Sequence, residues 1–165
     1  MSDLLNNTAV LEQEEDTMRN KFLVFLLDNQ EFAIAIRYVV DIINVQPVTR
    51  VPACPEYVCG ITNLRGKVIP IIDVRIRFGK EPRDYTERTC IIVVEIGDVS
   101  VGMIIDSVAE VLTLEDDAIS PPPSFIKVVE AKFIEGIATT ETGVKLILDC
   151  KAVLDESNLE QPMDE

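Results

Sequence analysis

Residues 60–73 read GITNLRGKVIPIID, two short apolar arms joined by Asn63, Leu64, Arg65 and Gly66. Apolar runs on either side of turn chemistry predict two strands and a tight connection, with Gly66 supplying a positive φ that other residues resist. Nothing in the arms requires an arginine at the tip. Arginine is ordinary at exposed turns, and it is also the residue whose planar fork meets carboxylates and carbonyls at interface centres. Both readings of Arg65 stay open at this point.

Working outward, the chain reads as β-rich. Strands are expected at 22–27 and 32–36 around the turn residues Asp28, Asn29 and Gln30, and at 39–45. Pro47, Pro52 and Pro55 punctuate a connection with a single helical turn over 55–59. After the quoted pair of strands, a short helix over 74–78 stops at Gly79, and KEPRDYTER at 80–88 is the most polar stretch in the middle of the chain. Further strands follow at 89–96, 99–105 and 108–114, with a Gly97-Asp98 turn. SPPPSF at 120–125 must be extended, because consecutive prolines exclude helix and central ladder positions. A hairpin over 136–139 and 144–148 leads to Asp149, which caps a last helix carrying Val153 and Leu154 on one face.

The pattern repeats. Residues 22–43 slide by 69 positions onto 91–112 without a gap, placing Ala33 over Gly102 and Asp41 over Glu110. With an offset of 76, GITNLRGKVIPIID lies over GIATTETGVKLILD at 136–149, and each is followed by a short helical segment. Two copies of about five strands are small alone, and closing each into a barrel removes exposed edges. Packed side by side, such barrels bury more surface and leave a junction groove, where binding sites prefer to lie. The expected organisation is a mobile acidic arm at 1–19, a first barrel at 20–79, a linker at 80–88, a second barrel at 89–154 with terminal elements able to cross between barrels, and a tail at 155–165.

The 165 residues carry fifteen Lys and Arg against twenty-nine Asp and Glu, a net charge of −14, so attraction to nucleic acid or anionic lipid is disfavoured. No apolar run is long enough to span a bilayer and the N-terminus has no signal-like pattern, so a cytoplasmic protein is expected. No histidine is present, and Cys54, Cys59, Cys90 and Cys150 form no CxxC pair, which argues against a metal site and a disulfide framework. Adjacent carboxylates at Glu14-Glu15 and Asp116-Asp117 read as solvated acidic segments, and no glycine pattern matches a phosphate loop. No catalytic machinery and no cofactor are expected. Recognition remains. Here the repeat is informative, because Glu141 stands in the second copy where the first has Arg65, whereas Asp41 has the equally acidic Glu110 as its counterpart.

The run GITNLRGKVIPIIDVR at 60–75, VVDIINV at 39–45, VGMIIDSVAEVL at 101–112 and EGIATTETGVKLILD at 135–149 together resemble the CheW family of bacterial chemotaxis coupling proteins, over residues 21–154. The resemblance implies an all-β fold with minor helix, a pair of pseudo-symmetric five-stranded SH3-like barrels packed side by side, and a non-catalytic adaptor that joins chemoreceptor cytoplasmic tips to the regulatory domain of the CheA histidine kinase. It implies recruitment to membrane receptor arrays through those partners. By similarity, the receptor's helical hairpin is expected against Val39, Ile42, Arg65, Ile104 and Val108. The kinase is expected against Asp41, Ile43 and Val48, with a second, ring-forming contact through Phe125. Ser120 stands where relatives can have an arginine, so that second contact is differently built here. The alternatives are a coupling-like regulatory domain of a larger kinase or a scaffold fused to a receiver domain. Met1 and the acidic closing tail favour a complete protein.

Overall fold

β-branched and aromatic residues fill the apolar runs, and they form strands throughout the computed structural model, which describes residues 20–123 and 132–154. The strands are β1 (Lys21–Leu27), β2 (Gln30–Ala35), β3 (Val39–Asn44), β4 (Val58–Leu64), β5 (Lys67–Asp73), β6 (Cys90–Ile96), β7 (Val99–Ile105), β8 (Ser107–Thr113), β9 (Ile119–Ser120), β10 (Ile134–Thr140) and β11 (Gly143–Leu148). Short helices at Val74–Arg77 and Cys150–Leu154 follow β5 and β11. The helical turn expected over 55–59 does not form. Val58 N donates to Pro55 O in one tight turn, Asp73 N donates to Tyr57 O, and Val58 is already paired with Ile72. The expected arm, tail and Phe125 lie outside the described residues.

The strands make two sheets, ordered β3-β6-β7-β5-β4 and β8-β1-β2-β11-β10-β9. The first closes through a bridge between Thr49, just beyond β3, and Ile61. In the second, β8 runs on through a 3-10 turn (Asp116–Ala118) into β9, which pairs with β10 at the far edge. We call them barrel one and barrel two. Their membership does not follow the expected division between 79 and 89. The hairpin β1-β2 belongs to barrel two and the hairpin β6-β7 to barrel one, so each repeat lends its first two strands to the other's barrel. Two strands cross in each direction. The cause is local: the 3-10 turn Ile36–Tyr38 between β2 and β3, and the lone Asp106 between β7 and β8, redirect the chain from one sheet to the other.

The repeat is reproduced in the registers. β1 pairs β8 as Phe22↔Leu112, Leu23↔Val111 and Val24↔Glu110, then slips at a bulge to Phe25↔Val108. β6 pairs β3 as Ile91↔Ile43, Ile92↔Ile42 and Val93↔Asp41, then slips to Val94↔Val39. Every partner, and the bulge, is displaced by the same 69 positions on both strands. The parallel pairs Ile71↔Gly102 and Ile147↔Ala33 agree likewise. Asp73 Oδ1 accepts from Ile76 N and Asp149 Oδ1 from Ala152 N, so both short helices carry the same cap.

Alternation along each strand sorts three apolar clusters. Ile69, Ile71, Ile91, Val93 and Ile104 fill barrel one. Phe22, Val24, Ala33, Ala35 and Ile147 fill barrel two, with Leu114 and Ala138. The largest cluster lies between the barrels and draws on both sheets, with Leu23, Phe25 and Phe32 meeting Ile92, Val94 and Met103. The expected junction is therefore a packed core in its interior rather than an open groove. Near its pseudo-twofold axis the Arg77 guanidinium lies 4.5 Å from the Tyr57 ring centre and 4.6 Å from that of Phe133, and these two aromatics are themselves repeat equivalents. Arg77 Nε donates to the carbonyl of Val153, its own counterpart.

Candidate interaction surfaces

Arg65 and Gly66 are the two loop residues between β4 and β5, with φ of 55° and 84°. Positive φ at both positions is the geometry of a type I′ hairpin, in which Asn-Gly is favoured and a bulky first residue costs on the order of 1 kcal/mol. Asn63 Oδ1 accepts from Gly66 N at 3.0 Å and fixes the turn. Arg65 then extends back over barrel one, where Nη2 lies 2.8 Å from Asp41 Oδ2. The other carboxylate oxygen, Oδ1, accepts from Ile42 N at 2.9 Å. Asp41 is thus held at the β3 bulge from both sides. The guanidinium stays largely in water, so the pair contributes only about 0–1 kcal/mol.

This pair forms part of the rim of a depression of about 200 Å3 at the turn end of barrel one. Val40, Leu64, Ile69 and Val93 supply its apolar lining, and Lys67 and Glu95 stand opposite, 3.6 Å apart. The expected receptor contact Arg65 and the expected kinase contact Asp41 therefore belong to one surface. Ile43 and Val48 are half-buried and pack on the barrel-one interior, so they support that surface from beneath.

The remaining expected receptor residues divide. β3 and β8 are edge strands of the two sheets. On β3, Ile42 is 42 % exposed while its partner Ile92 is wholly buried in the junction core. Its repeat equivalent on β8, Val111, is 53 % exposed opposite buried Leu23. Val39 and Val108, one step along each strand, pack partly into the same core. The junction core therefore surfaces at two symmetric aliphatic edges. Ile104 does not belong to them. It is 3 % exposed and packs inside barrel one, because its partner Ile91 points inward and facing residues share a side.

Two arrangements escaped the sequence reading. Barrel two has a fully buried lysine, Lys145, whose Nζ donates to Glu31 Oε1 and Thr142 Oγ1, each at 2.8 Å. The 76-residue offset places it over inward Ile69, and a polar residue over an inward apolar position was the available signal. The second is ionic. Arg75, nearly buried, donates from Nη2 to Asp106 Oδ2 at 2.6 Å and from Nη1 to Asp28 Oδ1 at 3.4 Å, while Arg83 from the polar stretch lies 3.9 Å from the Asp106 carboxylate and 3.5 Å from that of Asp28. The 80–88 segment is thus tied to both barrels. Spacing gave no hint of this, since its partners lie tens of residues away.

Tyr85 of that segment donates from its hydroxyl to Asp73 Oδ2 at 3.3 Å. Burial raises the Asp73 carboxyl above its usual range, against bonds from the Ile76 and Arg75 N–H groups and the Tyr85 hydroxyl. Burial, with the Asp73 charge second, likewise pushes the Cys59 thiol up. A raised thiol is the opposite of an activated nucleophile. Among the described residues no helix is long and apolar enough to cross a membrane.

Comparison with known proteins gives one answer. Residues 21–158 match the CheW-like domain family. The chain is 36 % identical over 138 residues to the chemotaxis protein CheW of Bacillus subtilis (strain 168), covering 84 % of this chain and 88 % of that protein. It is 33 % identical over 144 residues to the chemotaxis protein CheW of Klebsiella aerogenes, covering 87 % of each. Its fold is similar to the crystal structure of the scaffolding protein TtCheW from Thermoanaerobacter tengcongensis, with a TM-score of 0.79 and 33 % identity, covering 89 % of this chain and all of that one.

Proposed function

The chain belongs to the CheW-like family of chemotaxis coupling adaptors, and from that premise we propose that it joins chemoreceptor cytoplasmic tips to the regulatory domain of a CheA-type histidine kinase without catalysing a reaction. The observation that carries the reading is the pair of aliphatic edges, where Ile42 on β3 and Val111 on β8 are exposed and Val39 and Val108 are half-buried against the junction core. A receptor's helical hairpin laid against them completes burial that the fold leaves unfinished, the helix-in-groove mode of recognition. The kinase domain docks at the turn end of barrel one, where Asp41 and Arg65 rim an apolar floor and give directional polar contacts.

The non-catalytic part of the proposal is supported by what the cysteines do. Cys59 is half-buried with its thiol held up, and no histidine exists to activate it or any hydroxyl. Signal then passes by differential affinity, the receptor's states binding the adaptor or positioning the kinase differently. Through these partners the protein reaches the membrane array.

Co-sedimentation of the purified protein with receptor-tip fragments and a kinase regulatory domain tests this. Ile42→Glu is expected to lose receptor-dependent sedimentation, and Arg65→Glu to lose kinase binding, with thermal stability nearly intact in both. Normal co-assembly by both folded variants would refute the assignment of these surfaces.

A further inference from the structure

The cysteines do not share one role. Cys150 is buried in the junction core and lies, by the repeat, over Val74 in the same core, so its thiol serves there as an apolar filler. Cys59 stands at the bulge of β4, and at the matching bulge of β10 its counterpart is Glu135, so the fold does not ask for a thiol at that place. Cys54 is exposed on the connection that leads into β4. Cys54 and Cys59 line one depression of about 380 Å3, with Arg50, Pro52 and Glu56 around them.

The backbone brings the two thiols to the same place. Thr49 and Ile61 exchange hydrogen bonds of 2.8 and 2.9 Å, and Val58 N donates to Pro55 O at 3.0 Å, so the chain leaves barrel one at Thr49 and returns on itself. Cys54 and Cys59 are the residues directly outside the tight turn 55–58. A disulfide needs its Cα atoms within about 7 Å, which a closed turn between them favours. Just before Cys54, Ala53 is held at φ of 63°, and strain kept in an exposed connection points to use rather than packing. Burial holds the Cys59 thiol up while the Tyr85 hydroxyl favours its thiolate. Cys59 is therefore poor at capturing a reagent from solution, yet placed to meet a sulfur presented beside it.

We propose that Cys54 and Cys59 form a redox modification site, a thiol pair that a low-molecular-weight disulfide converts into an intramolecular bridge pinning the 49–59 connection to β4, where barrel one closes. The Cys54 thiolate attacks one sulfur of the small disulfide, giving a mixed disulfide and expelling one small thiolate. The Cys59 thiolate then attacks Cys54 Sγ and expels the second. The two protein thiols are oxidised, the small disulfide is reduced to two thiols, and the protons of Cys54 and Cys59 end on those products. The test is incubation of the folded full chain with oxidised glutathione, followed by intact mass and tryptic mapping, since the peptide 51–65 carries Cys54 and Cys59 and no other cysteine. Wild type is expected to lose two hydrogens within that peptide, reversibly with dithiothreitol. Cys59→Ser is expected to retain a glutathione adduct on Cys54, and Cys54→Ser to gain neither bridge nor adduct in the peptide. A folded wild type that keeps the adduct on Cys54 as Cys59→Ser does, or that stays unmodified at Cys54, overturns the inference. Cys54 is exposed, so Cys54→Ser keeps the fold if Cys59→Ser does not, and an adduct on Cys59 in folded Cys54→Ser as fast as bridge formation in wild type refutes the assigned order of attack.

Discussion

Barrel one and barrel two are built on one plan and filled differently. Their edge strands slip at the same bulge and their short helices carry the same aspartate cap. Yet barrel one is packed mainly with isoleucine and ends in an open depression under Arg65, whereas barrel two mixes phenylalanine, alanine and leucine and ends in a plugged lysine. Folding therefore fixes the strands, the bulge, the caps and an acid at the third strand, and leaves free the turn residue and the end filling. The features that differ are the ones available for recognition.

The largest effect is expected at the glycine pair. Gly60 has φ of 147°, and a methyl added there would lie 2.1 Å from the Thr49 carbonyl oxygen, so Gly60→Ala should cost about 3 kcal/mol or more in chemical denaturation. Its equivalent Gly136 has ordinary backbone and its nearest neighbour would be the Ile119 side chain at 3.0 Å, so Gly136→Ala should cost about 1 kcal/mol. Equal costs would mean that the two barrels close alike. Next come the end fillings. Ile69→Lys should cost about 3 kcal/mol by burying an unpaired ammonium, with Ser100→Glu recovering part of it, while replacing both partners in barrel two, Glu31→Ser with Lys145→Leu, should stay within about 1 kcal/mol of wild type.

At the hairpin tips the expected change is smaller and of opposite sign. Arg65→Asn relieves an arginine at φ of 55° and should raise stability by about 0.5–1 kcal/mol, whereas Glu141→Asn, in a loop without that geometry, should change little. Thermal unfolding of the two variants separates these outcomes. The smallest effect concerns pH. Asp73 binds its proton more tightly when folded than when unfolded, so its contribution to stability is greatest in acid and is lost as pH rises from 3.8 through the raised folded value. Asp73→Asn should flatten that slope in a pH series of unfolding midpoints.

Much of this was legible in the chain. Local alternation revealed the strands, and the offsets of 69 and 76 revealed the repeat, because both are properties of short windows. The hairpin exchange was not legible. Which sheet β1-β2 joins is decided by turns of one to three residues, Ile36–Tyr38 and Asp106, that carry no periodic signal. Ile104 was misplaced for a related reason, since alternation says that neighbours face opposite ways without saying which way is inward. Arg65 and Asp41 were each singled out but not as partners, because the residues that join them are a bulge on one strand and a turn on another.

Recognition by Arg65 is the claim on which the account depends most. Titration of a CheA-type regulatory domain into Arg65→Asn and Glu141→Asn measures it in a background where neither change harms folding. At least tenfold weaker binding by Arg65→Asn, with wild-type binding by Glu141→Asn, is the predicted result. Equal affinities for both variants and the wild type would contradict it.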